Sequence, residues 1–355
     1  MMPTSRANAC EATPTGSTPF RMTNRPARHS CVTDRTRPWS TFAGAHPLKA
    51  KRLRLRALAA LVFATLLTWN ACFAAATQAP SCRALAARAD PVATVETTLA
   101  GVPALLRVPK SVTRPPIVLW HGFGPPASEQ ALMEMLPLDD VPAVKVYLGL
   151  PLFGKRAEAG GVEALKRRQA SDFASRIFAP VVVGATDELP AAVKALRAMD
   201  CLARDEKIGL FGFSGGGAAA LLALAEHEVP VGSAVVLNAS TGLSASIGAF
   251  EKATGKPYPW SDAARELARR TDAAGRAGEI AAGHPPVALL IVQGTADAML
   301  NPQLAVDLHA ALKPKYAARD AQRLQLILAD DMPHNVTDAG RIGQLRKWAG
   351  DWFNR

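Results

Sequence analysis

The segment that decides the fold covers residues 208–226 and reads IGLFGFSGGGAAALLALAE. Its first six residues are apolar or glycine and predict a buried strand, and the small and aliphatic residues from Ala218 onward predict a helix. Between them lies Gly212-Phe213-Ser214-Gly215-Gly216, where glycine permits a turn too tight for a Cβ. A hydroxyl at the apex of such a turn is exposed beside a helix N-terminus. Ser214 is therefore the predicted nucleophile.

A serine hydroxyl needs a base to take its proton and an acid to orient that base. Asp297 follows a strand-like apolar run that ends in Gln293-Gly294-Thr295-Ala296. His334 follows a second such run, within Asp331-Met332-Pro333-His334-Asn335. Each of the three residues would lie on a loop after a separate strand. The chain order Ser214, Asp297, His334 therefore predicts a catalytic triad.

A glycine-bearing loop, His121-Gly122-Phe123-Gly124, follows the strand-like run at residues 116–120. A tetrahedral intermediate needs hydrogen-bond donors for its developing oxyanion, and backbone N–H groups on such a loop can supply them. We therefore expect this loop to lie beside the nucleophile.

Together these motifs resemble the α/β-hydrolase superfamily over residues 92–355. The Gly-Phe-Ser-Gly-Gly and Gly-Thr-Ala-Asp segments are similar to its dienelactone-hydrolase-like and prolyl-peptidase-like branches. The resemblance implies that the N–H groups of Phe123 and Gly215 form the oxyanion hole and that His121 shapes the loop. True dienelactone hydrolases differ, because their nucleophile is cysteine where this chain has Ser214. Those branches contain esterases, lipases and peptidases, so the resemblance implies a reaction class and leaves the substrate open.

Strand-like and helical patterns alternate along residues 77–355, the predicted hydrolase domain. Such alternation predicts an α/β fold with a doubly wound, mostly parallel eight-stranded sheet and helices on both faces. The strand candidates are residues 92–98, 102–108, 116–120, 144–148, 208–213, 231–237, 287–292 and 324–328. The helical patterns are residues 128–136, 188–199, 216–226, 302–312 and 339–353.

Two longer stretches, residues 151–183 and residues 238–286, interrupt this alternation. The second is polar, contains Tyr258 and Trp260, and carries a charged helical pattern around residues 263–270. Insertions at the catalytic end of a sheet often shape the substrate pocket, so residues 238–286 are predicted to form a lid or cap. Surface helices that cover the sheet edge are the alternative.

The N-terminal segment has the features of an export signal. Residues 49–56 are cationic, residues 57–68 are apolar apart from two threonines, and small residues then offer cleavage at Ala74 or Ala76. This pattern predicts a secretory signal peptide over residues 49–76 and a periplasmic or secreted protein. An uncleaved membrane anchor is the alternative. Residues 1–48 have no apolar periodicity, which indicates a disordered leader or a start codon assigned too early.

Removing this segment changes the meaning of the composition. The chain carries a net charge of +11, but the first 76 residues hold 11 of its 41 basic residues and two of its 30 acidic ones, which leaves +2 for the rest. This balance gives no reason to expect nucleic-acid binding. Three of the five cysteines also fall in the segment. The remaining two, Cys82 and Cys201, are predicted to form a disulfide, with two separate thiols as the alternative.

The sequence thus predicts an exported serine hydrolase that cleaves small-molecule carboxylic esters through an acyl-enzyme, with the export signal as its one contact with the membrane. A prolyl-type serine peptidase and a non-catalytic binding protein are the alternatives. Asp330 and Asp331 are the alternative orienting acids if Asp297 points away. No His, Cys, Asp or Glu cluster has metal-ligand spacing and no glycine-rich phosphate loop carries a lysine, so no metal or cofactor is expected.

Overall fold

The computed structural model describes residues 80–355, which form one eight-stranded sheet with helices around it. The predicted signal peptide and leader lie outside the described residues. The strands are β1 (Val92–Leu99), β2 (Val102–Pro109), β3 (Ile117–Trp120), β4 (Lys145–Leu148), β5 (Ile208–Phe213), β6 (Val231–Leu237), β7 (Ala288–Gly294) and β8 (Leu324–Ala329). Their order across the sheet is β1-β2-β4-β3-β5-β6-β7-β8.

The helices are α1 (Cys82–Arg88), α2 (Glu129–Met135), α3 (Gly161–Ser171), α4 (Gly184–Ala198), α5 (Gly215–Glu226), α6 (Leu243–Thr254), α7 (Asp262–Thr271), α8 (Ala277–Ile280), α9 (Gln303–Leu312) and α10 (Ala339–Phe353). A π-helical segment, Ala174–Val183, runs directly into α4. Short 3₁₀ helices occur at Gly154–Arg156, Lys313–Lys315 and Ala318–Arg323. In the described part of the chain, no helix has both the length and the apolarity needed to cross a membrane.

Strands β3 to β8 pair in parallel, whereas β1 and β2 form an antiparallel hairpin and β2 pairs antiparallel with β4. Alternate side chains of the central strands enter two separate cores. In β5, Leu210 belongs to the core that includes α4 and α5, and Phe211 belongs to the core that includes α2 and α10. Burial on both faces explains the continuous apolar runs in the sequence. The parallel strands also bring their carboxyl ends to one edge of the sheet.

The eight strands agree with the sequence prediction to within two residues at each end, and the principal difference lies in the helix before β5. Residues 188–199 were predicted as this helix, but α4 begins at Gly184 and continues a wider π-helical turn that contains Pro180. Proline lacks an N–H and ordinarily ends a helix, so sequence rules favour a break there. The π-helical segment instead bonds the Gly184 N–H to the carbonyl of Ala179.

Each of the two inserted segments is largely helical. The first contains α3 and the π-helical segment, and the second contains α6, α7 and α8. The charged pattern around residues 263–270 corresponds to α7, whereas α6 was not predicted. Its sequence, LSASIGAFEKAT, mixes small and polar residues and carries a weak amphipathic signal.

A disulfide joins Cys82, the first residue of α1, to Cys201, which precedes β5. The two residues are 119 positions apart in the chain. Closing a loop of this length restricts the unfolded chain, which stabilises the fold by roughly 3 to 5 kcal/mol in the chain-entropy account. The Cys82 N–H also donates to the carbonyl of Met199 at 2.8 Å, so α1 is attached to this turn by two bonds.

Candidate active site

Ser214 occupies a sharp turn between β5 and α5. Its backbone adopts φ 53° and ψ −113°, a region that residues with a Cβ rarely occupy. A Cβ on Gly212 would collide with the carbonyl of Gly216, which explains why the turn needs glycine at that position. The Ser214 N–H donates to the carbonyl of Leu237 at 3.0 Å, and its carbonyl accepts from the Ser240 N–H at 3.1 Å. The turn is therefore held against the end of β6.

The three residues predicted from chain order meet at the carboxyl edge of the sheet. The Nε2 atom of His334 lies 3.0 Å from the Oγ of Ser214, and its Nδ1 atom lies 2.8 Å from Oδ2 of Asp297. All three side chains are buried. The imidazole therefore joins the hydroxyl and the carboxylate within hydrogen-bond distance of both, which is the spacing that general-base activation of a serine requires.

Asp297 is held as a carboxylate by donors on both of its oxygens. Oδ1 accepts from the N–H groups of Met299 and Leu300, each at 2.9 Å. Oδ2 accepts from the Gln293 side chain at 3.1 Å in addition to its bond with His334. Burial opposes ionisation of this carboxyl, but the hydrogen bonds outweigh it and lower the pKa of Asp297 below its ordinary value. It can therefore stabilise an imidazolium at His334.

Asn238 connects the loops that carry Asp297 and His334. Its side-chain amide donates to the carbonyls of Pro333 and His334, at 3.1 and 2.9 Å, and its Oδ1 accepts from the Gly294 N–H at 2.8 Å. The residue is fully buried. Because one carboxamide bonds to both loops, it fixes the position of the imidazole relative to the carboxylate.

The loop after β3 lies directly against the turn that carries Ser214. A Cβ on Gly122 would meet the Cβ of Ser214 at 3.0 Å, and one on Gly215 would collide with the ring of Phe123. Within residues 80–355, the N–H groups of Phe123 and Gly215 donate to no protein acceptor. Both donors assigned by the family resemblance are therefore available to a ligand beside Ser214.

His121 is buried behind this loop. Its Nδ1 bonds to the carbonyl of Gly122 at 2.7 Å, and its Nε2 accepts from the N–H of Leu150 at 3.4 Å. This pattern requires a neutral ring that donates from Nδ1. Burial lowers the pKa of His121 to about 4, although the bond to Gly122 acts in the opposite direction. A neutral imidazole with both nitrogens engaged supports the loop.

A cleft of about 250 Å³ opens over Ser214. Its walls include the rings of Phe123, Phe153, Phe173 and Phe250, and of its lining side chains only His334 is titratable. The remaining lining residues are Gly124, Leu165, Gln169, Ile177, Ser214, Gly215, Ser240, Ser246, Ala249, Ala253, Met299 and Leu300. The cleft is thus apolar except for Ser214, His334, one amide and two further hydroxyls.

The two inserted segments contact each other beside this cleft. The Tyr258 hydroxyl lies 2.5 Å from Oδ1 of Asp172, and the rings of Phe173 and Phe250 stack with centroids 5.4 Å apart. Phe123 lies edge-on to Phe173 at 6.5 Å. A continuous series of aromatic rings therefore runs from the loop after β3 to the second insertion.

In the described structure, neither the two alternative acids nor three further histidines bond to Ser214, Asp297 or His334. Asp330 and Asp331 are exposed, and in the described structure neither side chain bonds to His334. His227 is the C-cap of α5, and His309 lies within α9. His284 is exposed in the loop before β7. Residues 80–355 contain no group of three or more His, Cys, Asp or Glu side chains that could hold a metal ion.

Sequence reasoning missed Asn238 and Gln293, and it missed three of the four phenylalanines in the cleft. The first two end or follow parallel strands, where polar side chains collect at the ligand-binding edge, so their position was an available signal. Phe153, Phe173 and Phe250 carried no such signal, because an isolated phenylalanine in a helix or loop is far more often a core residue.

Comparisons with known proteins agree with this architecture. The model of the prolyl oligopeptidase family, Peptidase S9, matches residues 172–355, more than half of the chain. No curated protein sequence matches the chain. Among solved structures, TT1662 from Thermus thermophilus is similar over 74% of this chain and 99% of its own, at 19% identity and a TM-score of 0.57.

Two further structures are similar at lower scores. Dipeptidyl peptidase 4 of Porphyromonas gingivalis is 14% identical, with a TM-score of 0.51, over 74% of this chain and 35% of that longer protein. A dienelactone hydrolase from Anabaena variabilis is 16% identical, with a TM-score of 0.45, over 74% of this chain and 96% of its own. At such identities these likenesses concern the fold and leave the substrate open. The chain belongs to the prolyl oligopeptidase family and is a serine hydrolase of the α/β-hydrolase superfamily.

Proposed function

We propose that this protein is an exported carboxylesterase that uses Ser214, His334 and Asp297 as its catalytic triad. The observation that carries the proposal is the hydrogen-bonded line from the Ser214 hydroxyl through the His334 imidazole to the Asp297 carboxylate, at 3.0 and 2.8 Å. The free N–H groups of Phe123 and Gly215 beside it complete the set of groups that acyl transfer requires.

The reaction proceeds in two halves. His334 takes the proton of Ser214 as Oγ attacks the ester carbonyl, and the Phe123 and Gly215 N–H groups stabilise the oxyanion. His334 then gives its proton to the departing alcohol, which leaves an acyl-serine. Water deprotonated by His334 attacks this acyl group and restores the enzyme. Asp297 holds the Nδ1–H tautomer and stabilises the imidazolium in both halves.

The composition of the cleft favours an ester over a peptide. Enzymes that cleave near a peptide terminus need a charged group to anchor the amine or carboxylate, and the side chains that line this cleft include no aspartate, glutamate, lysine or arginine. An ester with apolar groups on either side of the carbonyl leaves no buried charge unpaired. Membership of the prolyl oligopeptidase family favours the second candidate, a serine peptidase.

A fluorophosphonate probe tests the nucleophile directly. We expect covalent labelling at Ser214, located by peptide mass mapping, and no labelling of Ser214→Ala. Ser171→Ala, which changes an exposed serine at the end of α3, is the matched control and should label normally. Folded wild-type protein that does not react would favour the non-catalytic binding protein.

A substrate panel separates esterase from peptidase. We expect turnover of p-nitrophenyl esters and much slower turnover of aminoacyl-anilides under the same conditions. Faster cleavage of any aminoacyl-anilide than of every ester would assign the protein to the peptidases.

The export part of the proposal rests on residues 49–76 and on the cysteine pair. A disulfide between Cys82 and Cys201 is suited to an oxidising compartment, which is where exported proteins fold. N-terminal sequencing of the protein recovered outside the cytoplasm should find a start just after Ala74 or Ala76. A protein retained in the cytoplasm with residues 49–76 intact would contradict export.

A further inference from the structure

We propose that the cleft over Ser214 is an acyl pocket for an extended apolar chain and that Ala249 on α6 sets the length it accepts. The inference rests on the proposed esterase function and adds the substrate class to it. It is argued from three points: the side on which the alcohol leaves, the polarity of the side chains that line the cleft, and the small residues along α6.

The position of His334 separates the two sides of the substrate. His334 must give its proton to the leaving oxygen, so the alcohol departs on the side of the imidazole. Met299, half exposed, also lines the cleft and follows Asp297 on the same loop. The carbonyl oxygen points to the Phe123 and Gly215 N–H groups. The acyl chain therefore continues past Phe123 toward the rings of Phe173 and Phe250.

The walls on that acyl side are mostly apolar, and the Gln169 amide is the main polar group among them. Phe153, Phe173 and Ile177 are buried and apolar. The hydroxyls of Ser240 and Ser246 bond to each other at 2.7 Å, and that of Ser240 also bonds to the carbonyl of Gly242. Since these hydroxyls already have partners, a polar or charged acyl group would lose its hydration and could gain side-chain bonds there only from the Gln169 amide. An apolar chain loses no hydrogen bonds there.

Small side chains on helix α6 leave space along which the acyl chain of the substrate can extend. Ala249 and Ala253 both line the cleft, and residues four apart lie on one face of a helix. Ala249 is half-buried and Ala253 is exposed, so this face leads from the interior to solvent. Neighbouring Phe250 stacks on Phe173, which fixes the distance of α6 from the first insertion. A larger side chain at position 249 would therefore close the passage near Ser214, and one at position 253 would close it farther out.

The test compares p-nitrophenyl esters from acetate to dodecanoate on the full exported protein. Each buried methylene contributes about 0.8 kcal/mol, so kcat/KM should rise by up to about fourfold per methylene until the cleft is filled. In Ala249→Leu the ratio of octanoate to acetate kcat/KM should fall about tenfold or more, because roughly two or more methylenes lose their place. In Ala253→Leu the fall in kcat/KM relative to acetate should begin at esters with a longer acyl chain.

Ser244→Leu is the matched control, because it adds the same bulk to an exposed position on α6 outside the cleft. It should leave the chain-length profile unchanged. A flat wild-type profile, or profiles unchanged in both alanine variants, would overturn the acyl-pocket inference. Ser214→Ala separates failure of the acyl-pocket inference from failure of the proposed function. If Ser214→Ala still hydrolyses esters, the proposed function itself is wrong. If Ala249→Leu fails to fold by circular dichroism, exposed Ala253→Leu carries the test alone.

Discussion

The loops at the carboxyl edge of the sheet and the two inserted segments are held in place in different ways. Asp297 is fixed by the N–H groups of Met299 and Leu300, two and three residues away. The insertions are joined by Tyr258 and Asp172, which are 86 residues apart, and by stacked rings. Short-range backbone bonds thus hold the Asp297 carboxylate, whereas long-range side-chain contacts shape the cleft. We therefore expect substitutions in the inserted segments to change substrate choice without disturbing the bonds that hold Asp297.

The largest expected effect follows from changing the orienting acid. In Asp297→Asn the amide oxygen keeps the bonds from the N–H groups of Met299 and Leu300, so the NH2 group takes the place of Oδ2. It then donates to Nδ1 of His334 instead of accepting from it, and the imidazole loses its working tautomer. Comparable substitutions lower kcat about 10⁴-fold. Steady-state hydrolysis of a p-nitrophenyl ester measures the loss.

Asp331→Asn is the control for that change, since Asp331 precedes His334 in the same loop but is exposed. Its kcat should stay close to that of wild type. A large loss in Asp331→Asn with little loss in Asp297→Asn would reassign the acid and remove Asp297 from the triad.

The next effect concerns stability at acid pH. The native pKa of His121 is about 4, below the ordinary value of 6.5, so between these pH values the unfolded chain binds a proton that the native protein does not. The free energy of unfolding should therefore fall as pH decreases from about 6.5 to 4, by up to about 3 kcal/mol, and the His121 contribution should be lost below that range.

Urea titrations of wild type and His121→Asn at several pH values isolate this contribution. The carboxylates change the free energy of unfolding with pH equally in both proteins, so their effect cancels in the difference. The difference between the two proteins should shrink as pH falls through that window. A constant difference from pH 7.5 to 4 would mean that His121 does not titrate between the folded and unfolded states as described.

A smaller effect is expected from Asn238→Ala. The change removes the amide that bonds to Pro333, His334 and Gly294, so the imidazole can shift relative to Asp297. Displacements of this kind lower kcat about 10- to 100-fold, and KM should change little because Asn238 does not line the cleft. Asn301→Ala, at an exposed position, should leave kcat and KM unchanged. A raised KM with kcat intact would place Asn238 in substrate binding instead.

The smallest effect tests the inserted segments. Tyr258→Phe removes the hydroxyl that bonds to Asp172 and should cost about 1 to 2 kcal/mol of stability. Because this bond holds the walls of the cleft together, the preference for long acyl chains should weaken more than acetate hydrolysis does. Tyr316→Phe removes a comparable buried bond, to the carbonyl of Val287, far from the cleft. Equal changes of chain-length preference in both variants would mean that the Tyr258 bond has no special role.

Much of the fold could be predicted from the sequence, because burial on both faces makes parallel strands continuous apolar runs with turn signals at their ends. The predicted triad residues could also be located, since each follows such a strand: Ser214 after β5, Asp297 after β7 and His334 after β8. The strands' own geometry then brings the three residues to one edge.

The cleft could not be predicted in the same way. Its walls depend on which side chains of α3, α6 and the π-helical segment meet, and those contacts join residues far apart in the chain. Phe173 and Phe250 have no local pattern that pairs them. The start of α4 was also beyond propensity rules, because Pro180 favours a break where the chain instead forms a π-helical segment that runs on into the helix.

The backbone angles of Ser214 have a consequence for engineering. A residue with a Cβ held at φ 53° raises the energy of the native state, and glycine at the same place would relieve roughly 1 kcal/mol of that strain. Ser214→Gly should therefore melt at a higher temperature than Ser214→Ala, which keeps the strained angle and has lost the same bond to His334. Because this strain is relieved only by giving up the predicted nucleophile, directed evolution for heat resistance should keep turnover as a second criterion.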